Sequence, residues 1–211
     1  MDFLTACFVV FQKGGPVMVL ILLCSLIVAA IGVERYLYYK AVKTDMAGFI
    51  DKLTPALERR EWEAALEICW QTGGVVATVA TKGIQCFQRD VYHIESVLEG
   101  EAAVAVAGLR ENLSHLDTIV TIAPLLGLLG TVIGMIGSFS VMNVKTGQPL
   151  AITGGVGEAL VATASGLCVA ILAMGVYSYF NHRLDRMITQ VERICTLLIE
   201  QVKREKDHEI A

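Results

Sequence analysis

Charge is the first thing this sequence is short of. Asp, Glu, Lys and Arg make up 18% of its 211 residues, against about a quarter in ordinary soluble domains. The shortage is concentrated. Residues 14–33 and 118–144 carry no charged side chain, and residues 146–182 carry only Glu158. Net basic charge is also missing: the balance is −4 and the pI about 5.6, which removes the electrostatic footprint that nucleic-acid binding needs. The six cysteines (Cys7, Cys24, Cys69, Cys86, Cys168, Cys195) include no CxxC pair, so neither a zinc site nor a disulfide framework is expected. His93, His115, His182 and His208 are scattered singly and read as surface or interfacial side chains. No cofactor or metal is implied.

What is present fills the charge-free runs. About 20 apolar residues suffice to cross a hydrocarbon core as a helix, so the runs predict three membrane-spanning helices, at 16–34, 118–142 and 153–180. Residues 1–15 contain Phe3, Leu4, Phe8, Val9, Val10 and Phe11 with only Asp2 and Lys13 charged. That pattern reads as an interfacial amphipathic segment and lacks the basic start of a cleaved signal peptide. Residues 143–152, with Gly147 and Pro149, read as a short loop between the second and third spans.

Lys and Arg number one in residues 1–15, nine in 34–117, one in 143–150 and six from Asn181 onward. The positive-inside rule then places residues 35–117 and 181–211 in the cytoplasm and the N-terminus and short loop outside. The expected fold is thus an all-α integral membrane protein with three transmembrane helices and long cytoplasmic helical extensions. Within 35–117, Asp45 caps one expected helix and Thr54-Pro55 opens the next. That helix carries Leu57, Trp62, Ala65, Leu66 and Cys69 and ends at Thr72-Gly73-Gly74. From Asp90 the chain has no proline or turn cluster before the second span, and is expected to enter the membrane as one long helix. In the tail, Leu184, Met187, Val191, Ile194 and Leu198 share one helical face. It suits either a plain packed helix or contact with neighbouring copies.

The two inner spans carry small residues at helical spacing. Ala123, Gly127, Gly130, Gly134 and Gly137 line one face of the second; Gly155, Ala159, Ala162, Gly166, Ala170 and Ala173 line one face of the third, opposite Leu160, Leu167 and Ile171. In lipid, such stripes let helix backbones approach closely. Thr131 lies near the middle of the second span, while Glu158 and Thr163 flank the stripe of the third, with Glu158 roughly a turn and a half inside. A charged carboxylate at a helix centre costs about 2.5–3.5 kcal/mol even on the gentlest scale, so Glu158 is expected to face protein or water. Each threonine could instead bond its own backbone, and Glu158 could be an ordinary boundary residue.

The stretch Ala123-Pro124-Leu125-Leu126-Gly127-Leu128-Leu129-Gly130-Thr131-Val132-Ile133-Gly134-Met135 resembles the second-span signature of the MotA/TolQ/ExbB proton-channel family. The stretch Glu158-Ala159-Leu160-Val161-Ala162-Thr163-Ala164-Ser165-Gly166-Leu167 resembles its third-span signature, and Glu34-Arg35 after the first span also fits. Three spans rather than four point to the ExbB/TolQ-like branch. The resemblance implies a homopentameric barrel in the bacterial inner membrane. Inside it would run single-span helices of an ExbD/TolR-like partner that carries a protonatable Asp, with a TonB- or TolA-like protein as a further partner. It implies that Thr131 and Thr163 line the ion pathway and that Glu158 is the family's third-span glutamate. The sequence reads Ala170-Ile171-Leu172-Ala173 where the family often has Ala-Ile-Pro-Ala, so no proline kink is implied there.

The function implied is a channel-forming subunit that uses ion-motive force to power a partner at the cell envelope. The alternative is a scaffold that assembles helices without ion flux. An intramembrane enzyme is not implied, because Glu158 is the only carboxylate in the spans and has no Ser, His or second acid beside it.

Overall fold

The computed structural model describes the backbone of residues 15–87, 89–144 and 149–210, and the side chains of 15–87, 89–140 and 154–204. All regular structure among the described residues is helical: α1 (Val17–Val42), α2 (Met46–Glu58), α3 (Trp62–Thr72), α4 (Gly74–Gln85), α5 (Val91–Arg110), α6 (Leu113–Val144) and α7 (Pro149–Ile210). Three of these, α1, α6 and α7, are long and apolar enough to cross a membrane. The segment expected to be interfacial, 1–15, lies outside the described residues except for Gly15. So does the core of the expected loop, since α6 reaches Val144 and α7 begins at Pro149.

The chain divides into two compact units, one of residues 1–34 and 112–179, the other of 35–111 and 180–211. In the first, α6 and α7 run antiparallel and meet through their small residues. A Cβ added to Gly130 would lie 2.5 Å from Ala162 Cβ, and one added to Gly134 would lie 2.9 Å from Ala159 Cβ. Such contacts leave room for nothing larger, which is how two helices gain packing energy in an apolar solvent. The stripe of α6 differs from its expected composition at one end. Gly137 has nothing near it, and Ser138, only 4% exposed, takes the place against Gly155. The α1 segment of this unit rests on the pair through Val17, Met18 and Ile21, packed against Leu126 and Val169. Leu160, Leu167 and Ile171 are exposed on the outside.

The second unit buries a conventional core. Phe49, Leu53, Ala65, Val79, Ala80, Ile94 and Leu98 pack with Val191, Ile194, Leu198 and Val202 of α7. The apolar face of the tail is thus covered by the chain's own helices. Gly83 permits a close approach within this core, since a Cβ there would lie 2.7 Å from Leu98 and 3.0 Å from Leu198. The rings of Trp62 and Phe87 close one side at 4.3 Å.

Two expectations about helix ends are corrected. Thr54-Pro55 starts no helix; Pro55 lies inside α2, which runs on to Glu58, and the turn falls at Arg59–Glu61 with Arg60 at φ 59°. An interior proline costs about 3 kcal/mol. Leu53, Ala56 and Leu57, all buried around it, return roughly 1.5–3 kcal/mol for each large side chain only if the helix continues. The Thr54 hydroxyl, expected as a cap, has no hydrogen-bond partner among the described residues. Second, α5 and α6 are not one helix: α5 ends at Arg110, Glu111 is extended and Asn112 is left-handed at φ 63°. Asn is among the few residues that adopt this conformation readily.

Candidate functional site

The α6–α7 seam sets the height of each polar group. Thr163 faces Gly127, where an added Cβ would lie 3.0 Å from Thr163 Cα, and Gly130 faces Ala162. Thr131 therefore falls close to the level of Thr163. Glu158 precedes Thr163 by five residues, about 7.5 Å along the axis. The three residues form one shallow polar band along the seam, with Glu158 and Thr163 on opposite edges of the α7 stripe.

Their hydrogen bonds differ. Thr163 Oγ1 donates to the Gly127 carbonyl of the facing helix at 2.9 Å, a tie across the seam made possible by the missing side chain of Gly127. Thr131 Oγ1 donates to Leu128 of its own helix at 2.6 Å, the local bond usual for a threonine in a span. A carbonyl has no hydrogen to give, so both hydroxyls spend theirs on backbone and present only lone pairs to a third group. Both are half-buried. Ser138 repeats the pattern further along α6, donating to Gly134 at 2.9 Å.

Glu158 is half-buried, and its carboxylate lies against the backbone of Gly15, just before α1. It thus stands level with the residues just before α1. From Thr131 to Val144, α6 continues for about 20 Å.

Sequence reasoning missed a second polar cluster, in the other unit. Arg35 is 2% exposed. Its guanidinium donates to the Gly108 carbonyl at 3.3 Å, pairs with Glu111 at 3.8 Å and lies 4.9 Å from the centre of the Tyr38 ring. Tyr39 donates to the Leu109 carbonyl at 2.7 Å and meets Phe180 edge-on. The last carbonyls of a helix have no partners within it and attract positive charge, so Arg35 and Tyr39 cap α5 where the chain turns. In the first unit, Asn112 donates to Glu34 at 3.2 Å. The available signal was Glu34-Arg35 with three tyrosines, Tyr36, Tyr38 and Tyr39, directly after a charge-free run. We expect Arg35→Met to lower stability by about 1–3 kcal/mol by stranding the Gly108 carbonyl, read as a lower midpoint of thermal unfolding in detergent.

Elsewhere in the second unit, burial pushes the Cys69 thiol up to about 11, against a weaker opposing hydrogen bond to Thr81. Burial, then the nearby Glu192 charge, raises that of Cys195. Neither is a ready thiolate nucleophile at neutral pH. A pocket of about 360 Å³ is lined by Val42, Val75, Thr78, Val79, Glu101 and Val104 among others; Thr131, Glu158 and Thr163 are not among its lining residues.

Comparison with known proteins bears on this arrangement. Residues 71–193 match the model of the MotA/TolQ/ExbB proton channel family. An ExbB homolog of Methanothermobacter thermautotrophicus is 29% identical over 185 residues, covering 87% of this chain and 66% of that protein. An ExbB-like biopolymer transport protein of Synechocystis sp. is 31% identical over 179 residues, covering 79% and 67%. The Tol-Pal system protein TolQ of Pseudomonas aeruginosa is 37% identical over 102 residues, covering 44% of each chain. The chain thus spans about two thirds of the length of the first two relatives and under half of the third. All are named for transport or for the Tol-Pal system, and none for an enzyme activity.

Proposed function

The chain belongs to the MotA/TolQ/ExbB proton channel family, in its ExbB/TolQ-like branch, and from that premise we propose that it is the channel-forming subunit of an ion-driven motor. It sits in the bacterial inner membrane with its N-terminus outside, and spans it at 16–34, 118–142 and 153–180. Copies assemble as a pentamer around an ExbD/TolR-like single-span protein with a protonatable Asp, and the motion of that partner serves a TonB- or TolA-like protein acting at the cell envelope.

The observation that carries this reading is the polar band on the α6–α7 seam. Glu158 stands at its outer edge, and Thr131 and Thr163 lie deeper, with their hydrogens committed to backbone carbonyls. Lone pairs without hydrogens accept from a protonated carboxyl or a cation and offer nothing to a carboxylate. A proton carried on the partner's Asp would be received there in its neutral form. The drive is about 2.3 kcal/mol per charge per 100 mV, which biases movement between states that differ in proton affinity. A scaffold would use the same glycine and alanine packing and the Thr163 tie to Gly127, but would have no need of the lone pairs these hydroxyls leave open.

Gentle extraction from native membranes followed by native mass spectrometry tests the assembly. The expected result is a complex of several copies of this chain with a small single-span protein whose span contains an Asp. Recovery of this chain alone, or with proteins lacking such a span, would overturn the motor reading.

A further inference from the structure

We propose that Gly15 is a positioning residue for Glu158, keeping a bare backbone surface on which the carboxylate rests; this builds on the reading of Glu158 as the mouth of the ion pathway. Gly15 has φ +70°, and the Cβ that any other residue would carry there overlaps Glu158 Oε1 and lies 3.4 Å from its Cδ and 3.9 Å from its Cγ. The whole end of the glutamate side chain therefore lies over this one α-carbon.

The turn is held from its other side. Val17, Met18 and Ile21 are each less than 8% exposed, and Val17 packs 3.7 Å from the Cβ position of Gly130 on the seam. Met18 N–H donates to the Gly15 carbonyl at 3.2 Å and Val19 N–H to the Pro16 carbonyl at 3.3 Å. Pro16 fixes its own φ. With the backbone pinned by α1 packing, a side chain at position 15 has one way to be accommodated, which is displacement of Glu158.

Two requirements for glycine coincide here, and different variants separate them. Positive φ is tolerated by Asn as well as by Gly, whereas the absence of a Cβ is met by Gly alone. Gly15→Asn therefore keeps the turn and removes the seat, and Glu158→Asp shortens the acid by one methylene and restores space.

The test uses the purified full-length protein with whatever partner leaves the membrane with it. A hydrophobic carbodiimide is reacted with the sample, and modification of Glu158 is quantified by mass spectrometry, with Glu101 as the reference carboxylate. Gly15→Ala and Gly15→Asn are expected to raise the Glu158 labelling rate several-fold at an unchanged Glu101 rate, and to lower ion-driven proton flux in proteoliposomes by about tenfold. Adding Glu158→Asp to Gly15→Ala should recover part of that flux. Wild-type labelling of Glu158 in Gly15→Asn would overturn the proposal, because glycine would then serve the turn alone. Shifted labelling in Gly15→Asn, with unchanged flux in both Gly15→Asn and Glu158→Gln, would leave Gly15 as the seat of Glu158 and sink the pathway reading instead.

Discussion

Gly166→Leu should destroy the packing of α6 on α7. A Cβ at this position would lie 2.6 Å from the Ala123 carbonyl oxygen, 3.0 Å from Gly127 Cα and 3.1 Å from Gly127 N. All three are backbone atoms, so no rotamer change relieves the contact and the two helices must separate. Overpacked sites whose neighbours are side chains lose typically 1–3 kcal/mol; with only backbone to yield, the loss should exceed about 3 kcal/mol. Separation would also break the Thr163 to Gly127 bond, which lies on the same turn. The measurement is thermal unfolding in detergent together with recovery of oligomer. Gly137→Ala is the control, since a Cβ there meets nothing within 4 Å, and its stability should match the parent. A Gly166→Leu protein that unfolds at the parental temperature would refute backbone contact at the seam.

The second large effect concerns ion transfer rather than folding. Thr131→Ala combined with Thr163→Ala removes both hydroxyls from the polar band. An acceptor lost to a buried donor costs about 1–3 kcal/mol, so flux should fall by about fivefold to 160-fold. Stability should fall far less. The Thr131 bond is local to its helix, and an interhelical side-chain bond in a membrane averages about 0.6 kcal/mol. Proton flux into proteoliposomes and oligomer mass are read on the same sample. Parental flux in the double variant would favour a scaffold. Thr163→Ser, which keeps the hydroxyl, should retain most activity.

Both results turn on features the sequence exposes unequally. The glycine and alanine spacing of α6 and α7 is visible in the sequence alone, as is the tail face from Leu184 to Leu198. Each is a repeat along one helix. The partner of each residue was not visible. Ser138 rather than Gly137 completes the α6 stripe, because antiparallel pairing brings Gly155 opposite that position. Likewise, Thr131 and Thr163 look alike in sequence, yet one bonds within its helix and the other across the seam. That difference depends on Gly127 lying opposite Thr163.

The helix ends divide the same way. Thr72-Gly73-Gly74 stops α3 as its residues dictate, with both glycines at positive φ. Thr54-Pro55 carries an equally plain local signal and fails, because burial of Leu53, Ala56 and Leu57 outweighs one lost hydrogen bond. The break at Glu111–Asn112 has no glycine or proline, and its partners Glu34, Arg35 and Tyr39 come from some 70 to 78 residues earlier.

By itself, then, the sequence determined that this protein is helical and has three segments suited to lipid. Long charge-free runs must bond their backbones internally where no water is present, and that constraint acts on each segment alone. Only the tertiary structure decided which small residue meets which, where α5 gives way to α6, and that the Glu158 carboxylate rests on Gly15. These are contacts between distant parts of the chain, and close-packed backbones fix them to within a few tenths of an ångström, a precision that spacing along one helix does not contain.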